Sequence, residues 1–310
     1  MIEVHNLTKR FGSLVAVDNL SLSIGAGEIF GFIGPNGAGK STTMKILACL
    51  MKPDEGEARV DGLDVRADGP RIRRIIGYMP DFLGIYDDLT VSEYLQFFAS
   101  AFGLPRRRRK VIVDGVLELT DLTAKRDAMV DGLSRGMTQR LGVARVLIHE
   151  PRALLLDEPA SGLDPRARIE MRSLLAELGR MGKSVMISSH ILGELEELCD
   201  SIGIIERGKL VYAGGVDDAL KAAGLGLQVE VRLESGADLA QIAVALEADE
   251  RIARATTEDG AIVVELTPGE HGRHFIVERL IALGARIDAV NPRRVHLEDA
   301  FMTLTKGAVQ

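Results

Sequence analysis

The stretch Gly34-Pro35-Asn36-Gly37-Ala38-Gly39-Lys40-Ser41-Thr42 constrains this chain more than any other part of it. It fits the pattern G-x-x-x-x-G-K-[ST], and it stands in the required context. Before it, Glu28–Ile33 is almost continuously apolar, as a buried strand should be. After it, Met44, Leu47, Ala48 and Met51 recur at helical spacing and predict one apolar helix face. Strand, glycine loop and helix in this order make an anion site. The glycines let backbone N–H groups curve around phosphates, and the helix N-terminus adds partial positive charge. Lys40 then reaches the β- and γ-phosphates as a point charge, and the Ser41 hydroxyl is directed to Mg²⁺. The pattern implies ATP and Mg²⁺ as ligands, and ATP hydrolysis as the activity.

The rest of the chain supplies strands and helices around this loop. Ile2 and Val4 alternate with polar neighbours, as do Leu20, Leu22 and Ile24, which predicts short strands of an antiparallel sheet with one wet face. Residues 90–130 read as mainly helical. A helix is expected over Ser134–Ile148, with Met137, Leu141, Ala144 and Ile148 on one side. Ala153–Leu156 reads as a strand. Asp164-Pro165 opens a helix to about Arg180, with Asp as cap and Pro in the first turn. Ser184–Ser188 reads as a strand and Ile191–Cys199 as a helix. Alternation of this kind predicts an α/β domain with a mostly parallel sheet covered on both faces. The pattern changes near residue 225, after a glycine-rich connection that includes Gly208, Gly214, Gly215, Gly224 and Gly226. The expected division is 1–224 and 225–310. The second part reads as a strand (227–233), a helix (239–246), two strands (about 251–257 and 261–266), a helix (about 272–283) and a strand (about 286–290). That order suggests a small α+β domain of ferredoxin-like type. A final helix is expected over Leu297–Thr305.

Two further segments carry chemistry. Ala153-Leu-Leu-Leu-Asp157-Glu158-Pro159 ends a buried strand on two carboxylates. Asp157 is placed to hold the Mg²⁺ shell at the strand's C-terminal edge. Glu158, one residue on, is placed to orient and deprotonate an attacking water. Alone such a pair also reads as a capped turn. Leu133-Ser134-Arg135-Gly136-Met137-Thr-Gln139-Arg140 reads, alone, as an ordinary N-cap before an amphipathic helix.

Phosphate loop, Ser134 segment and acidic strand, in this order, resemble the ATP-binding cassette of ABC transporters over about residues 2–215. LSRGM resembles the family's LSGGQ signature, with Ser134 and Gly136 retained and Arg135 and Met137 as departures. Phe11 is similar in place to the aromatic that stacks on adenine; by itself it also reads as a core aromatic. Ser161-Gly-Leu-Asp164 resembles the D-loop, a role that can coexist with capping. His190, after Ser188-Ser189, resembles the switch histidine that contacts the γ-phosphate; alone it also reads as a satisfied histidine at a strand end. At Asp81, in Ile76-Gly-Tyr-Met-Pro80-Asp81, the family usually has a glutamine that touches Mg²⁺ and couples to the membrane partner. Asp81 also reads as a turn cap after Pro80.

The resemblance implies a P-loop NTPase cassette: a mostly parallel sheet core, an antiparallel β subdomain and a helical subdomain. It also implies two cassettes closing on two ATPs. The phosphate loop, Asp157, Glu158 and His190 would come from one chain, and Ser134 and Gly136 from its mate, a second copy or a related chain. Such a pair drives a separate transmembrane permease subunit. The tail Val295-His-Leu-Glu-Asp-Ala-Phe301-Met-Thr-Leu resembles that of cassettes serving ABC-2-type exporters.

Charge and composition narrow the alternatives. The net charge is −7, which argues against general binding to nucleic acid. The run Arg106-Arg107-Arg108-Arg109-Lys110 reads as a solvated helix start, or as a patch for anionic lipid or nucleic acid. No apolar run is long enough to cross a bilayer, and MIEVHNLTKRFG lacks the apolar core of a signal peptide. The expected location is the cytoplasmic face of the membrane, held there by the permease. Cys49 and Cys199 read as buried, reduced thiols. The competing class is a soluble ABC ATPase acting on nucleic acid or ribosomes. Its repair-type members carry coiled coils or zinc modules and its translation-type members two cassettes, features this sequence does not show.

Overall fold

Alternation of apolar and polar residues gives the first strands one buried and one wet face. β1 (Ile2–Phe11) buries Ile2, Val4 and Leu7, and β2 (Leu14–Ile24) buries Val17, Leu20, Leu22 and Ile24. The alternation slips once in β1, where Asn6 takes a left-handed conformation and the pairing register with β2 shifts between Val4 and Leu7. In the computed structural model the described residues are 1–310 except 192, 217, 220–227, 235, 268–271 and 294–310. The chain divides into two compact units, Met1–Val216 and Asp217–Gln310.

In the first unit, β3 (Ile29–Ile33) is buried at every residue and runs into the glycine loop. α1 (Lys40–Leu47) follows it. β4 (Glu55–Val60) and β5 (Leu63–Asp64) join β1 and β2 in an antiparallel sheet of order β2-β1-β4-β5. The apolar face of that sheet, Met44 and Leu47 of α1, and Phe30 and Phe32 of β3 share one core. α1 stops earlier than its apolar stripe suggested. Cys49 turns left-handed (φ +56°), so Met51 lies beyond the helix, although it still packs against the core.

The short α2 (Gly69–Ile72) leads to β6 (Ile76–Met79). α3 (Val91–Ala101) opens with a capping box between Thr90 and Glu93. α4 (Arg106–Leu119) and α5 (Arg135–Leu147) complete the helical region. Then come β7 (Ala153–Asp157), α6 (Pro165–Arg180), β8 (Ser184–Ser189), α7 (Gly193–Glu196), β9 (Ser201–Glu206) and β10 (Lys209–Gly215). α7 is shorter than the helix expected over Ile191–Cys199. The amides of Leu198 and Cys199 turn back onto the carbonyl of Leu195, and Asp200 accepts from the Ile29 amide, which starts β9. The central sheet has the order β10-β9-β3-β8-β7-β6, parallel except for the β10 edge. β3, β7 and β8 are buried at all residues, as parallel strands covered on both faces must be.

Register fixes what meets at the end of this sheet. Ile33 pairs with Ser189, and Asp157 with Ser188. The chain therefore leaves β3, β7 and β8 at one level, and Gly34, Glu158 and His190 emerge side by side.

The second unit runs β11 (Gln228–Leu233), α8 (Leu239–Leu246), β12 (Ile252–Glu258), β13 (Ala261–Leu266), α9 (His274–Ala282) and β14 (Ile287–Arg293). Its antiparallel sheet has the order β12-β13-β11-β14, the split β-α-β-β-α-β arrangement. Val229, Val231, Leu246, Ile262, Val264 and Ile276 form its core. The helix expected over Leu297–Thr305 and the exporter-like tail lie outside the described residues. The two cysteines are free thiols but only half-buried by side-chain exposure, a correction to the full burial expected.

Candidate functional site

The glycine loop is shaped by contacts that leave no room for side chains. Gly37 and Gly39 hold left-handed backbone angles (φ +81° and +111°). A Cβ on Gly39 would sit 2.5 Å from the Ala16 carbonyl oxygen, and one on Gly34 would collide with the carbonyl oxygen of Ile205. Gly39 offers α1 no side-chain cap, so the first N–H groups of the helix keep their capacity to bind an anion. Gly34→Ala is expected to cost about 1–3 kcal/mol by overpacking against β9, and to weaken nucleotide binding by displacing the loop. Thermal unfolding of the variant, with and without ATP, checks both effects.

Lys40 is nearly buried. Its ammonium curls back to donate to the carbonyl oxygens of Gly34 (2.6 Å) and Pro35 (3.3 Å), and it stands 3.4 Å from Glu158 Oε1. The other oxygen of Glu158 accepts from His190 Nδ1 at 2.8 Å. A carboxylate only accepts, so the proton of this pair lies on Nδ1 and His190 keeps Nε2 for another partner. Glu158 Oε1 is buried and has no hydrogen bond among the described residues. A buried acceptor beside a lysine is therefore open to a ligand or a water.

Ser188 ties the acidic pair together. Its hydroxyl donates to Asp157 Oδ1 (2.6 Å) and accepts from the Glu158 amide (2.9 Å). Glu158 is left-handed (φ +52°), a conformation that costs a non-glycine residue energy and that the Ser188 contact helps to hold. The backbone turn there aims the Glu158 side chain back toward Lys40.

Lys40 and Glu158 border a cleft of about 280 Å³, while Gly34, Ser188 and His190 are not on its wall. Phe11, Gly37, Lys40, Ser41, Asp81 and Glu158 are on its wall, as are Pro35, Asn36, Ala38, Gly39 and Thr42. Phe11 is 46% exposed, so it is not a core aromatic; its ring lies at the mouth with Lys9 Nζ 5.5 Å from the ring centre. Asp157 is buried behind the cleft rather than on its wall. Burial pushes the Tyr78 phenol up, and the charges of Asp157 and Asp81 push it further. The charges of both expected Mg²⁺ ligands thus act on one phenol.

Ser134, Gly136 and Asp164 are not on this wall. Ser134 caps α5 by accepting from the Met137 amide (3.4 Å), and Asp164 caps α6 by accepting from the Ala167 amide (2.9 Å). The two helix starts adjoin, since a Cβ on Gly136 would meet Ala167 Cβ at 3.0 Å. Sequence reasoning missed three contributors. Ser188 was noticed only as a neighbour of His190, although a serine ending a buried strand needs a polar partner. Leu14 and Ala16, which line the cleft beside Phe11, lie on β2 and carry no motif.

The family model for ABC transporter matches residues 17–161. The chain is 41% identical over 214 residues to the Nod factor export ATP-binding protein I of Ralstonia nicotianae (strain ATCC BAA-1114 / GMI1000), covering 69% of this chain and 67% of that protein. It is 40% identical over 228 residues to the protein of the same name from Burkholderia lata, covering 74% and 75%. It is also 40% identical over 222 residues to a probable multidrug ABC transporter ATP-binding protein of Escherichia coli (strain K12), covering 72% of this chain but 38% of that one. Among solved structures, the ATP-binding subunit of an ABC transporter superposes with a TM-score of 0.65 at 31% identity, over 80% of this chain and 99% of that one. A dimeric post-hydrolysis ATP-binding cassette bound to ADP and Pi gives 0.64 at 26%, over 70% and 99%. None of these relatives favours the soluble alternative.

Proposed function

This chain belongs to the family of ABC transporter ATP-binding subunits, which bind and hydrolyse ATP, and from that premise we propose that it drives an exporter through a separate transmembrane permease. The observation that carries the chemistry is the contact chain Lys40–Glu158–His190, buried at Lys40 and Glu158 and exposed at His190, with one Glu158 oxygen left open. The glycine loop and the start of α1 hold the phosphates, with Lys40 exchanging its contacts to Gly34 and Pro35 for phosphate oxygens. Phe11 stacks on the base. Glu158 orients the water and takes its proton, while His190, hinged on Glu158, presents Nε2 toward the γ-phosphate. Positioning and charge stabilisation do most of the work in such a transfer.

Ser41, Asp81 and Asp157 would hold Mg²⁺. Their oxygens suit a hard cation, and among the described residues no group of three or more His, Cys, Asp or Glu side chains converges. A hard cation of this kind is usually held by one or two protein oxygens together with phosphates and water. The bound ion would neutralise charge on the phosphates. Ser134 and Gly136, away from the cleft, support a second chain as the owner of the site they serve. We place nucleotide binding in Met1–Val216 and give the second unit an accessory role.

Among the described residues no helix is long and apolar enough to cross a membrane. A permease contact is supported instead by a groove of about 240 Å³ beside the site, lined by Arg73, Tyr78, Phe98, Phe102, Arg145 and His149. Two exposed aromatics adjoin it: Tyr86 and Phe97 lie against Phe98, with ring centres 6.4 and 5.2 Å from its own. Tyr78 borders this groove, and the charges of Asp81 and Asp157 act on its phenol.

Asp81 is the test. Asp81→Gln should retain most ATPase activity, because the amide oxygen still offers a ligand. Asp81→Ala should lose Mg²⁺-dependent turnover by about tenfold or more, together with stimulation by the permease, while Mg²⁺-free nucleotide binding survives. The partner is identified by affinity purification from mild-detergent membranes. Recovery of no hydrophobic chain, together with normal turnover in Asp81→Ala, would refute the coupling assignment.

A further inference from the structure

Arg135 departs from the signature that its surroundings resemble, where a glycine would stand. Its side chain leaves α5 and crosses to the loop between β7 and α6. Nε donates to the Ser161 carbonyl oxygen at 3.2 Å. The guanidinium covers Gly162 so closely that a Cβ there would lie 2.5 Å from Nη2, and Gly162 is left-handed at φ +67°. Ser161 is held on its other side as well, because its amide donates to the Glu158 carbonyl oxygen at 3.1 Å. One residue, through the two peptide groups on either side of it, therefore links the first residue of α5 to the backbone of Glu158. Glu158 is the residue in the strained conformation, and its carboxylate direction depends on that backbone.

We propose that Arg135 is a positioning residue for the general base of its own chain. It straps the loop after Glu158 to the start of α5. Contact of that helix start with a second chain's nucleotide thereby reaches the base that serves this chain's own nucleotide. The inference rests on the paired-cassette reading of the previous section. The strap is solvent-exposed, so it contributes little to global stability. Its effect is local: it removes freedom from a loop that ends on a catalytic carboxylate. A charged donor at this place also has a second option, direct contact with the other chain's phosphate, and the two options predict opposite results in mixed dimers.

Arg135→Ala should lower kcat about tenfold, the loss of one charge-assisted hydrogen bond, with KM and single-chain ATP affinity changed less than about twofold. Arg135→Lys, which keeps one donor for Ser161, should recover part of the rate. Differently tagged chains then give two mixed dimers, with unmodified chain plus Glu158→Gln as reference. In the first, an Arg135→Ala chain is paired with a Glu158→Gln chain, so the only working base lies in the chain without Arg135. This dimer should be slow. In the second, a chain carrying both substitutions is paired with an unmodified chain, whose base keeps its Arg135. This dimer should match the reference. The reverse result, or equal rates in both, would overturn the proposal. Amide hydrogen exchange over residues 158–164 of the isolated full chain gives an independent readout. It should rise severalfold in Arg135→Ala, and unchanged exchange would overturn the strap whatever the turnover. Absence of turnover in the unmodified chain would count against the ATPase reading alone.

Discussion

Glu158→Gln should lower steady-state ATP turnover by about 10²- to 10⁴-fold, the range that a positioned general base contributes. The substitution changes little else. An amide has the shape of the carboxylate, so the contact toward Lys40 can persist through the amide oxygen, while the amide nitrogen facing the ring can donate to Nδ1 only once the His190 proton has moved to Nε2. The Ser188 bond to the backbone amide does not involve the side chain at all. What the amide lacks is a site for the proton of the attacking water. Nucleotide should therefore still bind and remain uncleaved. The trapped species is expected as an ATP-bound dimer, seen as a shift to twice the mass in size-exclusion chromatography with light scattering. Near-normal phosphate release by this variant would remove Glu158 from the role of base and leave the buried Oε1 without an account.

Lys40→Met should weaken ATP binding by about 10- to 100-fold, since a charge-assisted contact to phosphate contributes about 1.5–3 kcal/mol. Methionine keeps most of the stem and removes the charge and its donors. The structure adds a second consequence. The ammonium lies beside Glu158, which is 9% exposed, and donates to two loop carbonyls. Without it, a buried carboxylate keeps only His190, and a buried charge that loses its partner destabilises the fold. The variant should accordingly melt earlier than the parent even in the absence of nucleotide. ATP titration by calorimetry and a thermal scan of the apo protein check the two parts separately. Unchanged affinity would refute the phosphate-loop assignment. An unchanged melting temperature would show that the Glu158 contact contributes nothing before nucleotide binds.

Much of this molecule was legible in its residues because the relevant physics is local. A glycine loop between an apolar run and a helical stripe specifies its own backbone, and the caps at Ser134 and Asp164 need only the three residues that follow them. Period-2 and period-3.6 patterns located most strands and helices, including those of the second unit. Boundaries failed where a single backbone conformation intervened: the left-handed Cys49 ended α1, and the turn at Leu198–Asp200 shortened the helix expected after Ile191.

What the sequence by itself determined was therefore the identity of the reactive groups: a phosphate loop with Lys40 and Ser41, an acidic pair at a strand end, and a histidine after another strand. Their meeting was decided by tertiary structure. Asp157 and Ser188 are 31 residues apart in the chain, yet parallel register sets them level across β7 and β8. That pairing places Glu158 beside His190 and turns it toward Lys40. The reach of Arg135 to Ser161 is of the same kind. No pattern along the chain encodes it, because it depends on the starts of α5 and α6 packing together and on Gly162 leaving space for a guanidinium. Residue type is a property of one position, whereas these contacts belong to pairs of positions, and only the packed chain brings the members of each pair within hydrogen-bonding distance.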